Sequence, residues 1–398
     1  MHCDWTIAGK SLPKRDGSLK SRPPVRGGVS TIDLACDLVA IPSHSTDARD
    51  ERAAGDAVEA WLREHTAATV ERDDAPRGGN VIARAGPSGD PDLAFVGHHD
   101  VVDPADDHWA ADRFRVERRD GRLYGRGTAD MKGSLAAAMT AFAAVADDAT
   151  RPVAFVSFTG EESGGIGCRW AIDHGFSPER AVVLEGSTGY GKEEAPSDGP
   201  PGIDVAVAHK GRRALTVEAS GTAAHASVGH DADNAIYHAI DAIDRLRSVD
   251  PPSRQIAGQR VDGSVAVTEI AGGDAWNVVP ETCTVTVDER TIPGGRIDLA
   301  MFDAVDVTVD QDLPPMVCAD ESFVERAVAA ASRDRDARRI VKPHATDAGW
   351  LADRAGTDCL VIGAAEPGEA HTDDESVSIA AIERCREIYE RLVRDLVV

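Results

Sequence analysis

The sequence predicts an α/β fold: a layered domain around a largely parallel sheet, with a smaller α+β domain inserted into it. Three observations carry this prediction. Short apolar runs of strand length alternate with longer runs of helical period, the pattern of a sheet covered by helices. Between about residues 208 and 312 the runs change to alternating apolar and polar positions, which suits strands with one open face. Polar, metal-competent residues recur just after the apolar runs, where open α/β sheets carry their sites.

Taken in order, residues 1–28 hold three of the seven lysines with Arg15, Arg22 and Arg26. They lack apolar periodicity and the apolar stretch of a secretory signal, so they read as a poorly ordered tail. Helical stretches between 31 and 65 flank Ile41-Pro42-Ser43, where the proline stops the first. Runs 93–96, 153–158, 181–184 and 359–362 read as strands buried on both faces, 133–146 as a small-residue helix and 379–393 as an amphipathic one. In the inserted region 215–219, 264–271 and 282–290 read as strands, and 234–247 as an amphipathic helix. A shorter helix at 296–304 and a strand at 305–309 would complete a β-α-β-β-α-β order. The patch 193–202 reads as a surface loop. The expected division is therefore a tail (1–28), a main domain (29–207 and 313–398) and an insert (208–312).

The chain has 398 residues, 68 acidic against 43 basic, and a net charge of −25. That balance excludes nucleic acid, which demands a basic stripe, and a peripheral hold on anionic lipid. No run of eighteen apolar residues is present, so no membrane span is expected. Only seven of the basic residues are lysine, and an Asp-rich, Lys-poor composition resembles the solvated surface of proteins from salt-loving microbes. Activity and stability are therefore expected to rise with salt. Seven scattered cysteines without CxxC spacing read as reduced thiols of a cytoplasmic protein.

Two phosphate-loop signatures fail. Gly125-Arg126-Gly127 begins like a dinucleotide fingerprint, but Asp130 stands where the last glycine belongs and would repel a pyrophosphate. Gly186 to Lys192 spells GxxxxGK, yet Glu193 replaces the hydroxyl that would hold magnesium. Other residues converge. His98 and Asp100 follow the 93–96 run, and a period of two puts them on one side, so Asp100 can accept the spare imidazole N–H. Asp130 precedes the 133–146 helix, Glu161-Glu162 follow 153–158, Glu185 follows 181–184, and His371 follows 359–362. Of two adjacent carboxylates at a strand end, one can bind metal while the other handles a proton. His99 and His108 read as structural. Two histidines and several carboxylates at five strand ends suit a two-metal hydrolase.

Gly97-His98-His99-Asp100-Val101-Val102, then Tyr124-Gly125-Arg126-Gly127 to Asp130-Met131-Lys132-Gly133, then Thr159-Gly160-Glu161-Glu162 resemble the co-catalytic dizinc amidohydrolases and metallopeptidases. Acetylornithine deacetylase, succinyl-diaminopimelate desuccinylase, aminoacylase and glutamate carboxypeptidase are members. Ala224-His225-Ala226-Ser227, Asn277-Val278-Val279-Pro280 and Ala370-His371 through Glu375 match in order, so the resemblance spans about residues 30–398. It implies a zinc-exopeptidase-like main domain, its mixed sheet sandwiched by helices, with the insert as lid and dimerisation domain. Asp130 would bridge two divalent ions, zinc or else cobalt or manganese. His98 and Glu185 would complete one site, Glu162 and His371 the other, and Asp100 would orient His98. Glu161 would be the general base that moves a proton from water to the leaving amine. His225 would reach the partner subunit of a homodimer and stabilise the oxyanion. Asn277, Arg290 and Thr346 would bind the substrate, Arg290 through its carboxylate. The expected activity is hydrolysis of the amide of an N-acyl amino acid. The alternatives are a metal-dependent carboxypeptidase or dipeptidase acting on short peptides, and a non-catalytic amino-acid-binding relative.

Overall fold

The computed structural model describes residues 30–44, 48–190, 202–228, 232–332 and 336–398. The tail at 1–28, all but the last residue of the loop at 193–202, and the lysine of the GxxxxGK-like run lie outside them. The predicted class holds: helices flank a nine-stranded mixed sheet. Its strands are β1 (Thr69–Arg72), β2 (Val81–Ala85), β3 (Leu93–His98), β4 (Val153–Phe158), β5 (Arg180–Val183), β6 (Val205–His209), β7 (Met316–Val317), β8 (Arg339–Lys342) and β9 (Asp358–Val361). They lie in the order β1-β2-β4-β3-β5-β9-β6-β7, and β8 also pairs with β6. The four central strands β4, β3, β5 and β9 run parallel.

The apolar runs are continuous because every residue of β3 and β4 is buried. Leu93 and Phe95 pack on one face with helices Thr31–Val39, Gly133–Ala143 and Ile379–Val397, while Ala94 and Val96 enter the opposite core with Cys168, Ala171 and Trp350. Each buried Leu or Phe contributes roughly 1.5–3 kcal/mol, so the faces hold the sheet and the strand ends are free to carry polar groups. Chain order diverges at β3, with β4 on one side and β5 on the other. The ends of neighbouring strands leave a crevice at such a switch point. His98, the last residue of β3, sits there.

Strands Arg212–Ser220, Ser264–Gly272, Thr282–Arg290 and Asp306–Leu313 form a separate four-stranded antiparallel sheet. Helix Ala235–Arg247, capped by Asn234, covers one face through Ala235, Ala239, Ala242 and Leu246. The helix expected at 296–304 is absent. In its place is one 3-10 turn, Leu299–Met301. Buried Glu289 accepts from Ile297 N at 2.7 Å, and Arg213 donates to Ile297 O at 2.9 Å. These bonds hold the chain out of helix until Asp298, which caps the turn through Ala300 N. Among the described residues, no helix is long and apolar enough to cross a membrane.

Candidate metal centre

The site is built from the C-terminal ends of the central strands and one glycine-bracketed loop. His98 is 1 % exposed. Its Nδ1 lies 3.0 Å from the backbone oxygen of Asp100 and 3.3 Å from that residue's Oδ1, so the main chain shares the orienting role expected of the carboxylate. Asp100 also holds a neighbouring loop, since its two carboxylate oxygens accept from Glu161 N at 3.2 Å and Glu162 N at 3.1 Å. It thereby fixes the segment after β4 against the end of β3. The opposite ring nitrogen of His98, Nε2, faces Asp130 Oδ1 at 3.0 Å and Glu185 Oε1 at 3.3 Å.

Asp130 stands between two imidazoles. Its second oxygen, Oδ2, lies 3.1 Å from His371 Nε2, which also meets Glu162 Oε1 at 3.2 Å. Glu375 supports this placement. One of its oxygens accepts from Ala129 N and Asp130 N at 2.9 and 3.1 Å, the other from Gly127 N and Arg126 Nη1 at 3.0 and 2.7 Å. The glycines that imitate a dinucleotide fingerprint serve this turn instead. Gly127 has φ +84°, and a Cβ there would lie 2.6 Å from Val101 Cγ1.

The carboxylates are crowded out of water, and their protonation is set by one another. Burial raises Glu161 well above the usual carboxylate range, and Asp347, Glu185 and Glu162 reinforce it against His98. Burial, with Asp130 nearby, brings Glu162 to about 7. Burial works against ionised Asp130 too, but the bonds from His371 and His98 outweigh it and hold its carboxyl far below the ordinary value. Hydrogen bonds to Asp130 and Glu162 lift His371 to about 10. Donor atoms of His98, Asp130 and Glu162 lie within 4.8 Å of one another, as do those of His98, Glu161 and Glu185. Imidazole and carboxylate donors without a thiolate suit a borderline or hard divalent ion such as zinc, cobalt or manganese. The residues present fit two such ions on either side of Asp130.

Asp130, Glu161, Glu162, Glu185 and His371 line a cavity of about 450 Å³ that Thr346 also lines, while His98 lies behind its wall and His225, Asn277 and Arg290 do not line it. Thr346 is buried and caps a short helix, accepting from Ala348 N at 3.2 Å. Arg290 is engaged by Asp288, Nε to Oδ1 at 2.7 Å, although its charge reaches His344 on the cavity wall. His225 is exposed on the inserted domain. Its Nδ1 accepts from Ser227 N at 3.1 Å and lies 2.8 Å from Ser227 Oγ. His99 is structural: buried, pulled down to about 3 by that burial, and bonded to Ser157 Oγ at 2.9 Å. The sequence reading missed Asp347 and Lys342, both buried and both lining the cavity. Asp347 lies next to Thr346, which was the available signal. Burial brings it to about 7, and its Oδ1 has no hydrogen-bond partner among the described residues.

A family model described as "Peptidase family M20/M25/M40" matches residues 94–395. A Staphylococcus aureus (strain MRSA252) protein named "Probable succinyl-diaminopimelate desuccinylase" is 28% identical over 343 residues, covering 75% of this chain and 81% of its own length. The acetylornithine deacetylase of Proteus mirabilis (strain HI4320) is 26% identical over 400 residues, covering 92% and 96%. Among solved structures, the aminopeptidase PepT from Bacillus cereus ATCC 10987 superposes with a TM-score of 0.71 at 20% identity, covering 92% of this chain and 98% of that one.

Proposed function

The chain belongs to peptidase family M20/M25/M40, and within this family of metal-dependent hydrolases we propose that it removes the acyl group from the nitrogen of an N-acyl amino acid. The observation that carries the reading is Asp130, whose two oxygens face His98 and His371 separately, with Glu185 beside the first histidine and Glu162 beside the second. That arrangement supports a bridging carboxylate between two ion sites. Bound there, two divalent ions would supply Lewis acidity toward the scissile carbonyl and acidity to an attacking water.

The remaining work falls to the protein. Glu161 takes a proton from water and delivers it to the leaving amine; its burial favours the protonated state that the second transfer needs. Asp100 keeps His98 oriented and the Glu161-Glu162 peptide N–H groups aimed inward. Thr346, Asn277 and Arg290 position the substrate, and His225 donates Nε2–H to the oxyanion from a partner subunit joined through residues 208–312. The relatives named desuccinylase and deacetylase, one of them matched over nearly its whole length, support an acyl amino acid over a peptide. The acidic surface is read as an adaptation to salt in the cytoplasm.

Assays of N-acetylornithine, N-succinyl-diaminopimelate and a dipeptide panel with zinc or cobalt test this. Turnover of at least one acyl amino acid is expected. Turnover of dipeptides alone would transfer the protein to the peptidase side of its family.

A further inference from the structure

The cavity lined by Asp130, Glu162, Glu185 and His371 also carries a cation with no ionic or hydrogen-bond partner among the described residues. Lys342, the last residue of β8, is 3 % exposed and lines the cavity with His344, Thr346 and Tyr190. Among the described residues its ammonium forms no hydrogen bond or ion pair; it faces the Tyr190 ring, 5.7 Å from Nζ to centroid. The other basic side chain on the wall differs. Arg212 is committed to Asp288 at 2.7 Å and to Gln311 at 2.8 Å. Lys342 is thus the one unpaired cation among the described residues that line the cavity.

The stem of Lys342 is buried while its ammonium reaches the cavity, so an anion arriving there would gain a charge-assisted hydrogen bond that no described protein group supplies. The anion is constrained by its surroundings. Asp130, Glu161, Glu162, Glu185 and Asp347 border the same space, so a phosphate dianion would meet more repulsion than a carboxylate. An ammonium is a compact point charge that one carboxylate satisfies. Thr346 adds a hydroxyl whose hydrogen is not used by the bond it accepts from Ala348 N.

We propose that Lys342 anchors a carboxylate of the substrate inside the cavity, making it a specificity residue in addition to Arg290. This rests on the amide-hydrolase reading above and deepens it: the substrate carries a negative charge near the scissile amide. That charge is either the α-carboxylate of the amino acid or the far carboxylate of a dicarboxylic acyl group such as succinyl.

The test compares wild type, Lys342→Met and Lys342→Arg as full-length, metal-loaded protein. The substrates are an N-acetyl amino acid, the matching N-succinyl amino acid and its carboxamide, which keeps the succinyl group but lacks the α-carboxylate. Removing a charged hydrogen bond is worth about 10–100-fold, so Lys342→Met should raise KM by that factor with kcat changed by less than about threefold, and Lys342→Arg should restore part of it. A rise for both free acids and none for the carboxamide assigns the α-carboxylate; a rise for both succinyl compounds and none for the acetyl compound assigns the acyl carboxylate. Calorimetry with the N-succinyl amino acid in a Glu161→Gln background reads the same loss as a weaker Kd without turnover. A fall in kcat on every substrate with KM unchanged, or a loss of bound metal, would overturn the proposal and make Lys342 a support of the metal centre. If wild type hydrolyses only peptides, the deacylase reading fails separately, and the KM of peptides with free against amidated C-termini decides the role of Lys342.

Discussion

The nine-stranded sheet and the inserted four-stranded sheet solve opposite problems. Every residue of β3 and β4 is buried, whereas strand Ser264–Gly272 is exposed along nearly its whole length, with Ile270 at 51 %. Around the ends of the buried strands, His98 and the carboxylates lose water and, with His371, take their protonation from one another. On the inserted domain, His225 stays in solvent and Arg290 is held by Asp288. The first region is organised for chemistry as it stands. The second carries groups that act only when another surface or a ligand comes to them.

The sharpest way to break this contrast is Glu161→Gln. It should lower kcat by about 10³-fold, a typical loss for a general base, while metal content by atomic absorption stays at the wild-type level. Retained turnover would mean that the buried cluster is a metal holder without a proton-moving member. Next is His225→Ala, for which about 10²–10³-fold is expected if its Nε2–H serves the oxyanion. Mixing that variant with Glu161→Gln should recover part of the activity, because each mixed dimer then holds one intact site. No recovery would place the action of His225 within its own subunit. Glu375→Gln is milder. It loosens the loop that presents Asp130 and should weaken metal affinity about 10–100-fold, as is typical for groups that orient ligands. An unchanged affinity in a chelator titration would show that the loop holds its shape without that charge.

The smallest effect concerns the buried sheet itself. His209, buried at the end of β6, is pulled by that burial from the ordinary 6.5 to about 4. A depressed histidine favours the folded state above 6.5 and loses that contribution as the pH falls towards 4. The loss amounts to about 3 kcal/mol at most. Melting curves should therefore show Tm falling across that window, and His209→Leu should flatten the slope. A variant as acid-sensitive as wild type would assign the loss to other groups.

What could be read in advance follows the same division. His98, Glu162 and Glu185 were visible because buried parallel strands write themselves as apolar runs, and a polar residue just after one is conspicuous; Asp130 stood out between a glycine pair and the 133–146 helix, and His371, nine residues beyond the 359–362 run, through the order of the motifs. Lys342 was not visible. Its strand opens with Arg339, directly after Arg338, and looks like surface; the burial comes from packing against chain far away in sequence. Glu375 lay inside a recognised run, but what it does depends on the Arg126–Asp130 turn nearly 250 residues earlier. The missing helix at 296–304 shows the reverse error. Leu299-Ala300-Met301 has helical propensity, and the Arg213–Glu289 pair overrides it from outside the segment.

One asymmetry within the centre bears on exchange kinetics. The side chain of His98 is 1 % exposed and that of His371 is 52 % exposed, on a residue with φ +64°. An ion between Glu162 and His371 would therefore meet solvent through one of its own ligands, while an ion between His98 and Glu185 would be shielded on its imidazole side. The two residence times need not match. A competing chelator or a foreign metal would then enter by the His371 side and leave the other position filled, so a half-exchanged, mixed-metal protein is the natural intermediate between the native centre and the stripped one.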